Sequence, residues 1–194
     1  MNFIKKILIF FILPVWFMFC GYAGGANREH TNPGSPGPDM HHQSSPDKDD
    51  AKTGLFDGFL YFADSGGPYL KALPKRFPSN LNSHELGRAI LGALMEGPSN
   101  PALAPTFPPD TRVMALFISE DGKAWVDLGI KDGRLENMDT LSELLAVYSL
   151  VNSLTLNIPG VTQVKLLVNG SDVATLGGHV SLEYFYQTNM LIVK

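Results

Sequence analysis

The clearest periodic pattern lies between residues 82 and 98. Apolar residues recur there at helical spacing and form one face, made of Leu86, Ala89, Ile90, Ala93 and Leu94. Asn82 or Ser83 supplies the N-cap. Glu85 falls three residues after Asn82, which is the spacing of a capping box. Gly97-Pro98 is a stop signal. The pattern predicts a first amphipathic helix. Because Gly87 and Gly92 lie inside it, we expect both to allow close packing on a sheet.

A second helical pattern starts at Thr140 and runs to about Leu156. Thr140-x-x-Glu143 also has the spacing of a capping box. The main apolar face consists of Leu141, Leu144, Leu145, Tyr148 and Val151, widened by Val147, Leu150 and Leu154. Such a broad face predicts a helix wedged between a sheet and another element.

Strand patterns lie before, between and after the two helices. The candidates are Phe59–Phe62, Val113–Ile118, Ala124–Leu128 and the alternating segment from Val164 to Val168. Val113–Ile118 is apolar at nearly every position, so we expect both of its faces to be covered. Asn169-Gly170 predicts a hairpin turn with a return strand at Val173–Leu176, and Met190–Val193 reads as a last edge strand.

The order of these elements predicts an α+β fold. We expect a two-layer sandwich in which two helices pack on one mixed or antiparallel sheet, with a βαββαβ-like order and an extra C-terminal hairpin.

The N-terminus has the pattern of a secretory leader. Lys5 and Lys6 precede thirteen uncharged apolar residues, Ile7–Phe19. We expect residues 1–23 to be a signal peptide cleaved after Ala23. An uncleaved membrane anchor is the second reading, and lipidation of Cys20 is a third, weakened because lipoprotein processing favours a small residue where Phe19 stands. All three readings place the rest of the chain outside the cytoplasm.

Composition narrows the class of function. Residues 24–54 are rich in Pro, Gly, Ser, His and Asp, which is typical of a disordered linker, so the folded domain is expected at residues 55–194. The net charge of −4 gives no basic footprint for nucleic acid. Cys20 is the single cysteine, so the domain has no disulfide or thiolate site. No spacing typical of a metal or cofactor site occurs, and we expect neither.

Six residues stand out as candidate interaction or signature positions. Trp125 and Asp127 should share one face of their strand, opposite Ala124, Val126 and Leu128. An aromatic residue on a sheet is more often part of the core or of cross-strand packing, but a Trp125 exposed beside Asp127 would anchor a partner. Tyr148 and Asn152 share a helix face, and we expect Asn152 to bond loop backbone and Tyr148 to pack its ring. Gly178 precedes His179, and glycines allow a close backbone approach there.

Several motifs together resemble the GerMN domain of sporulation and spore germination proteins. The resemblance covers roughly residues 59–194 and rests on Tyr61-Phe62-Ala63-Asp64-Ser65, Glu96-Gly97-Pro98-Ser99, Val126-Asp127-Leu128, the run from Leu145 to Thr155, Leu167-Val168-Asn169-Gly170 and Leu176-Gly177-Gly178-His179. It implies a fold similar to ring-building modules. It also implies a non-catalytic envelope domain that helps other proteins assemble. We expect its partners to be envelope proteins or further copies of this domain.

Two other functions stay open from the residues. A module for cell wall or a small ligand would use a groove lined by Trp125, Tyr61 and Tyr148. A hydrolase would use His179, which needs a nucleophile and an orienting acid nearby.

Overall fold

The computed structural model describes residues 54–135 and 138–194. The predicted leader and linker, together with Cys20, lie outside the described residues. The described elements are β1 (Leu55–Asp64), β2 (Leu70–Pro78), α1 (Ser83–Glu96), β3 (Leu103–Ala104), β4 (Arg112–Ile118), β5 (Lys123–Gly129), α2 (Thr140–Thr155) and β6 (Gln163–Val168), with 3-10 turns at Lys131–Gly133 and Met190–Ile192. Within these ranges, neither helix is long and apolar enough to span a bilayer.

The α+β class and the two helices are as predicted, but the strands form two sheets instead of one. The first sheet has the order β2-β1-β3 and is antiparallel. The second sheet is mixed, because β5 pairs antiparallel with β4 and parallel with β6.

The first sheet is interrupted because α2 lies along one edge of β1. The Ser153 hydroxyl accepts the Tyr61 N–H at 3.1 Å, and the Ser149 hydroxyl donates to the Tyr61 carbonyl at 2.5 Å. The Asn157 side chain, just beyond the helix, accepts the Phe59 N–H and donates to its carbonyl. Helix side chains thus replace a neighbouring strand.

Helix α1 has the predicted caps. The Asn82 side chain accepts the N–H groups of His84 and Glu85, and Glu85 accepts the Asn82 N–H. A Cβ at Gly87 would lie 2.5 Å from Leu116 Cδ2, so this glycine does allow close packing. The same expectation is wrong for Gly92, because a Cβ there would meet nothing within 4 Å.

Helix α2 is capped differently from the prediction. Its N-cap is Asp139, whose carboxylate accepts the Ser142 N–H at 2.7 Å. The capping box predicted for Thr140 and Glu143 is therefore wrong. The helix contacts β1, β6 and α1, which confirms the predicted wedge. Buried residues lie on nearly all sides of this helix. They are Glu143, Leu145, Ala146, Val147, Ser149, Leu150, Val151, Asn152, Ser153 and Leu154.

Strand β4 is not covered on both faces, contrary to the prediction. Met114 and Phe117 are each 61% exposed, whereas Leu116 is buried. The helix α1 packs on one side of this strand and β4 forms an edge of its sheet. The apolar run therefore leaves part of its side chains on the surface.

The prediction of an extra C-terminal hairpin is also wrong. Asn169-Gly170 does form a turn with positive φ at both residues, but only an isolated bridge from Val168 to Ser171 follows. The edge of β6 is taken instead by Tyr186, which exchanges two backbone hydrogen bonds with Val164. The predicted last strand is a 3-10 turn followed by one bridge from Val193 to Leu70.

Candidate functional site

Three aromatic side chains form a surface on the second sheet, which we call the aromatic patch: Phe117, Trp125 and Phe185. In β5, Ala124, Val126 and Leu128 are fully buried, so the alternating Trp125 points to the opposite face. Phe117 is its cross-strand neighbour, with ring centroids 5.5 Å apart. Phe185 meets Trp125 edge to face at 5.2 Å. Trp125 is held between two rings, and Phe117 is the member most open to solvent.

Asp127 supports a turn instead of standing beside an exposed anchor. Its carboxylate accepts the Gly170 N–H at 2.9 Å and so fixes the turn that follows β6. Trp125 and Asp127 lie on one face of β5 and the buried residues of the strand lie on the other, so the predicted alternation is confirmed.

Tyr148 packs on the C-terminal segment, on the other side from Trp125. Its ring meets Tyr186 edge to face at 5.5 Å, while the preceding Phe185 turns to Trp125. Tyr61 is buried against Leu70 and Leu145. Tyr148 packs against this same cluster, whereas Trp125 contacts Phe117 and Phe185. Trp125 is therefore the member of the predicted ligand groove that lies apart from the other two.

Asn152 is fully buried and binds loop backbone, as expected. Its side-chain nitrogen donates to the Asn189 carbonyl, and its oxygen accepts the Asn189 N–H, each at 2.9 Å. One amide side chain thereby pairs with both backbone groups of one residue. This contact fastens the C-terminal segment to α2.

Two further asparagines make the same bidentate contact. Asn157 binds both backbone groups of Phe59, and Asn169 binds both backbone groups of Ile130. The partners are at least 37 residues apart in sequence in all three cases. Local patterns carry no signal for these contacts, so the sequence predicts neither the role of Asn157 nor the side-chain contact of Asn169, although Asn169 itself was predicted to lie in a turn.

The Glu143 carboxylate binds the loop that contains the remaining two candidate residues, Gly178 and His179. One oxygen accepts the N–H groups of Leu176 and Gly177, at 2.9 and 2.7 Å. The other accepts the His179 N–H at 2.8 Å and lies 3.1 Å from the His179 ring Nδ1. The side chain of Glu143 is completely buried. The carboxylate is thus the centre to which residues 176–179 are bound.

Charge on Glu143 is favoured despite its burial. Burial by itself raises the pKa of this carboxyl, but the backbone N–H groups of Gly177, His179, Val180 and Leu176 outweigh that effect, so the pKa is lowered. The ionised form is therefore the one for which this site is built.

The glycines before His179 have a steric explanation. A Cβ at Gly177 would lie 3.1 Å from Met138 Cβ and 3.3 Å from the Glu143 carboxylate, so a larger residue would crowd the site. Gly178 has a φ of 110°, which favours glycine.

His179 itself has one ring nitrogen on a buried carboxylate and an exposed ring. Such a pair can hold or pass a proton, but this carboxylate also binds three backbone N–H groups. The arrangement fits loop anchoring directly. Among the described residues, no three His, Cys, Asp or Glu side chains are grouped to hold a metal ion.

Fold and site together define a small α+β domain whose candidate polar residues bind its own backbone and whose aromatic patch faces outward. Residues 59–174 match the family model Germane, described as sporulation and spore germination. Since the match covers more than half of the chain, the protein belongs to this family.

Solved structures with a similar fold include two from bacteria. A candidate lipoprotein from Clostridium perfringens is 27% identical, with a TM-score of 0.50 over 69% of this chain and 88% of that chain. The tandem GerMN domains of the sporulation protein GerM from Bacillus subtilis are 22% identical, with a TM-score of 0.53 over 66% of this chain. The match spans 44% of that tandem protein. Among curated proteins, none matches the chain.

Proposed function

We propose that this protein is a non-catalytic interaction domain that acts outside the cytoplasm and helps envelope proteins assemble. The aromatic patch carries this proposal. Phe117 remains 61% exposed on a sheet, and Trp125 and Phe185 hold the patch in place. Exposed aromatic side chains on rigid elements are typical anchors of protein interfaces.

A comparison of two edge strands, β2 in the first sheet and β4 in the second, favours the second sheet as the contact region. The β2 edge contains Pro74, Pro78, Lys71, Lys75 and Arg76, which discourage pairing with another strand. The β4 edge contains neither proline nor lysine. His84 already bonds the Leu116 carbonyl on that edge at 3.0 Å, so we place the partner on the aromatic face and not along the whole strand.

The proposed location rests on the leader pattern of residues 1–23 and on the Clostridium perfringens protein, which is described as a candidate lipoprotein. Intact mass spectrometry of the protein from its native cell distinguishes the three readings of the leader. Cleavage gives a chain that starts at Gly24, lipidation adds acyl mass to Cys20, and an anchor leaves the full chain. A full chain found in the cytosolic fraction would contradict the proposed location.

The interaction is tested by placing a photo-crosslinking amino acid at position 117 in the producing cell. We expect one discrete crosslinked species, which mass spectrometry identifies as an envelope protein or a second copy of this chain. The matched control carries the same amino acid at the exposed position 76 of β2 and should give no such species. Equal labelling from both positions, or none together with a strictly monomeric purified protein, would overturn the proposal.

A further inference from the structure

A hydrogen bond from helix α1 covers the free edge of β4. This edge is the side of the strand that faces away from β5. His84 lies in the first turn of α1, and its ring Nε2 donates to the Leu116 carbonyl at 3.0 Å. Helix α1 therefore reaches the edge of the second sheet in addition to its core face.

The backbone of β4 shows that the Leu116 carbonyl belongs to this free edge. Just after the strand, the Ser119 N–H donates to the Lys123 carbonyl at 2.9 Å, so these two residues form a hydrogen-bonded pair. Bonded and non-bonded residues alternate along an antiparallel ladder. Ile118 and Leu116 therefore direct their N–H and carbonyl groups away from β5, where another strand could bond them.

Little else in β4 hinders pairing with another strand. The strand has neither proline nor lysine, and its bulge, between Val113 and Ala115, disturbs only the start. Exposed apolar side chains such as Phe117 favour association. A neighbouring strand would lie about 4.8 Å from β4, which is the space that the His84 ring occupies.

Two features of α1 hold the His84 ring at this edge. The Asn82 side chain accepts the His84 N–H at 3.0 Å, so the cap fixes the backbone of His84. Gly87 follows three residues later on the same side of the helix, and a Cβ there would lie 2.5 Å from Leu116 Cδ2. The glycine thus lets the start of α1 lie close enough to β4 for the ring to reach the carbonyl.

The sequence of β4 indicates which partner would use a free edge. Arg112 and Glu120 are both exposed and lie four residues before and four residues after Leu116. If two copies paired antiparallel with Leu116 at the centre, Arg112 of each copy would lie at the end where the other copy has Glu120. Phe117 would lie opposite the small Ala115, and both side chains are on the outer face of the sheet. Charge and size are therefore complementary between two copies of this strand.

We propose that His84 keeps β4 unpaired and that, without its ring, two copies of this chain join along β4 into one continuous sheet. With His84 in place, the second sheet presents its aromatic face to a partner and not its edge. The role of His84 does not depend on what the aromatic patch binds.

His84→Ala tests this role in the purified protein, and because His84 is exposed, its truncation leaves the core intact. We expect the variant to form a dimer in analytical ultracentrifugation at concentrations where the wild type is a monomer. The Leu116 amide should then exchange its hydrogen more slowly, because a partner strand bonds it. Arg88→Ala is the matched control, since it truncates another exposed side chain of α1, and it should leave the protein monomeric.

Charge variants in the His84→Ala background test the register of the pairing. Arg112→Glu should weaken the dimer about tenfold, because two like-charged pairs replace two opposite ones. Adding Glu120→Arg should restore it. The proposal is overturned if His84→Ala stays monomeric, if its dimer is insensitive to Arg112→Glu, or if the wild type already forms a dimer with a protected Leu116 amide.

Discussion

The starts of the two helices share a four-residue pattern but use it differently. Asn82-x-x-Glu85 and Thr140-x-x-Glu143 both have the spacing of a capping box. Glu85 binds the Asn82 N–H at the start of its own helix. Glu143 is buried and binds N–H groups 33 to 36 residues further along the chain. Asp139 caps α2 in its place.

The same contrast continues along the helices. The buried positions of α1 are apolar residues and Gly87. Helix α2 buries Glu143, Ser149, Asn152 and Ser153, and each of them bonds backbone outside the helix. In α1 the polar contact outside the helix start is made by His84, which is exposed and bonds the Leu116 carbonyl, whereas the buried polar side chains of α2 hold several other segments in place. Substitutions in α2 should therefore cost far more stability.

The largest effect is expected for Glu143→Gln. The amide keeps the size of the side chain but loses the charge and turns an N–H donor toward backbone donors of residues 176–179. We expect a loss of about 3 kcal/mol in the free energy of unfolding, measured by urea denaturation. Glu85→Gln is the matched control and should change the stability by less than 1 kcal/mol. Equal losses in the two variants would remove the contrast between the helices.

A smaller loss is expected for Asn152→Ala. The change leaves both backbone groups of Asn189 without their partner and removes a fully buried side chain. We expect a loss of about 2 kcal/mol, with faster hydrogen exchange at the Asn189 amide. Protection of that amide at the wild-type level would show that the C-terminal segment is held by other contacts.

Acidification should weaken the Glu143 centre by less than its substitution. The pKa of Glu143 in the folded protein is lowered from the ordinary value of a glutamate, so the stabilisation from its charge is present above that ordinary value and is lost as the pH falls through the folded-state pKa. Protonation leaves a carbonyl oxygen that still accepts, which limits the loss. The stability difference between wild type and Glu143→Gln should narrow below about pH 4.5. A constant difference down to pH 3 would contradict this account.

The smallest effect is expected at the α1 cap. Asn82→Ala removes the acceptor for two N–H groups that water can reach, and it should cost about 1 kcal/mol by thermal or urea denaturation. Asn82→Ser, which keeps a capping oxygen, should recover most of the loss. A cost above that of Asn152→Ala would reverse the order of the comparison.

Prediction from sequence succeeded where the relevant partners are close in the chain. The cap of α1, the stop at Gly97 and the alternation of Trp125 and Asp127 all depend on residues a few positions apart. The Asn169-Gly170 turn was right for the same reason, but its return strand was not. Residues 176 and 177 donate their N–H groups to Glu143, so they are not available for a strand.

The candidate site was predictable only in part. Asn152 was expected to bond loop backbone, and the structure supplies the loop at Asn189. Phe185 completes the aromatic patch, but it was not predicted. It lies 60 residues after Trp125, and no local pattern joins the two residues.

The sequence by itself determined the α+β class, the two helices and the alternation of side chains along β5, because periodicity and local capping are properties of neighbouring residues. Tertiary structure decided the division into two sheets and the role of Glu143. Both depend on which distant backbone groups require a partner once the chain has folded, since a buried N–H or carbonyl must be bonded by whatever side chain lies beside it.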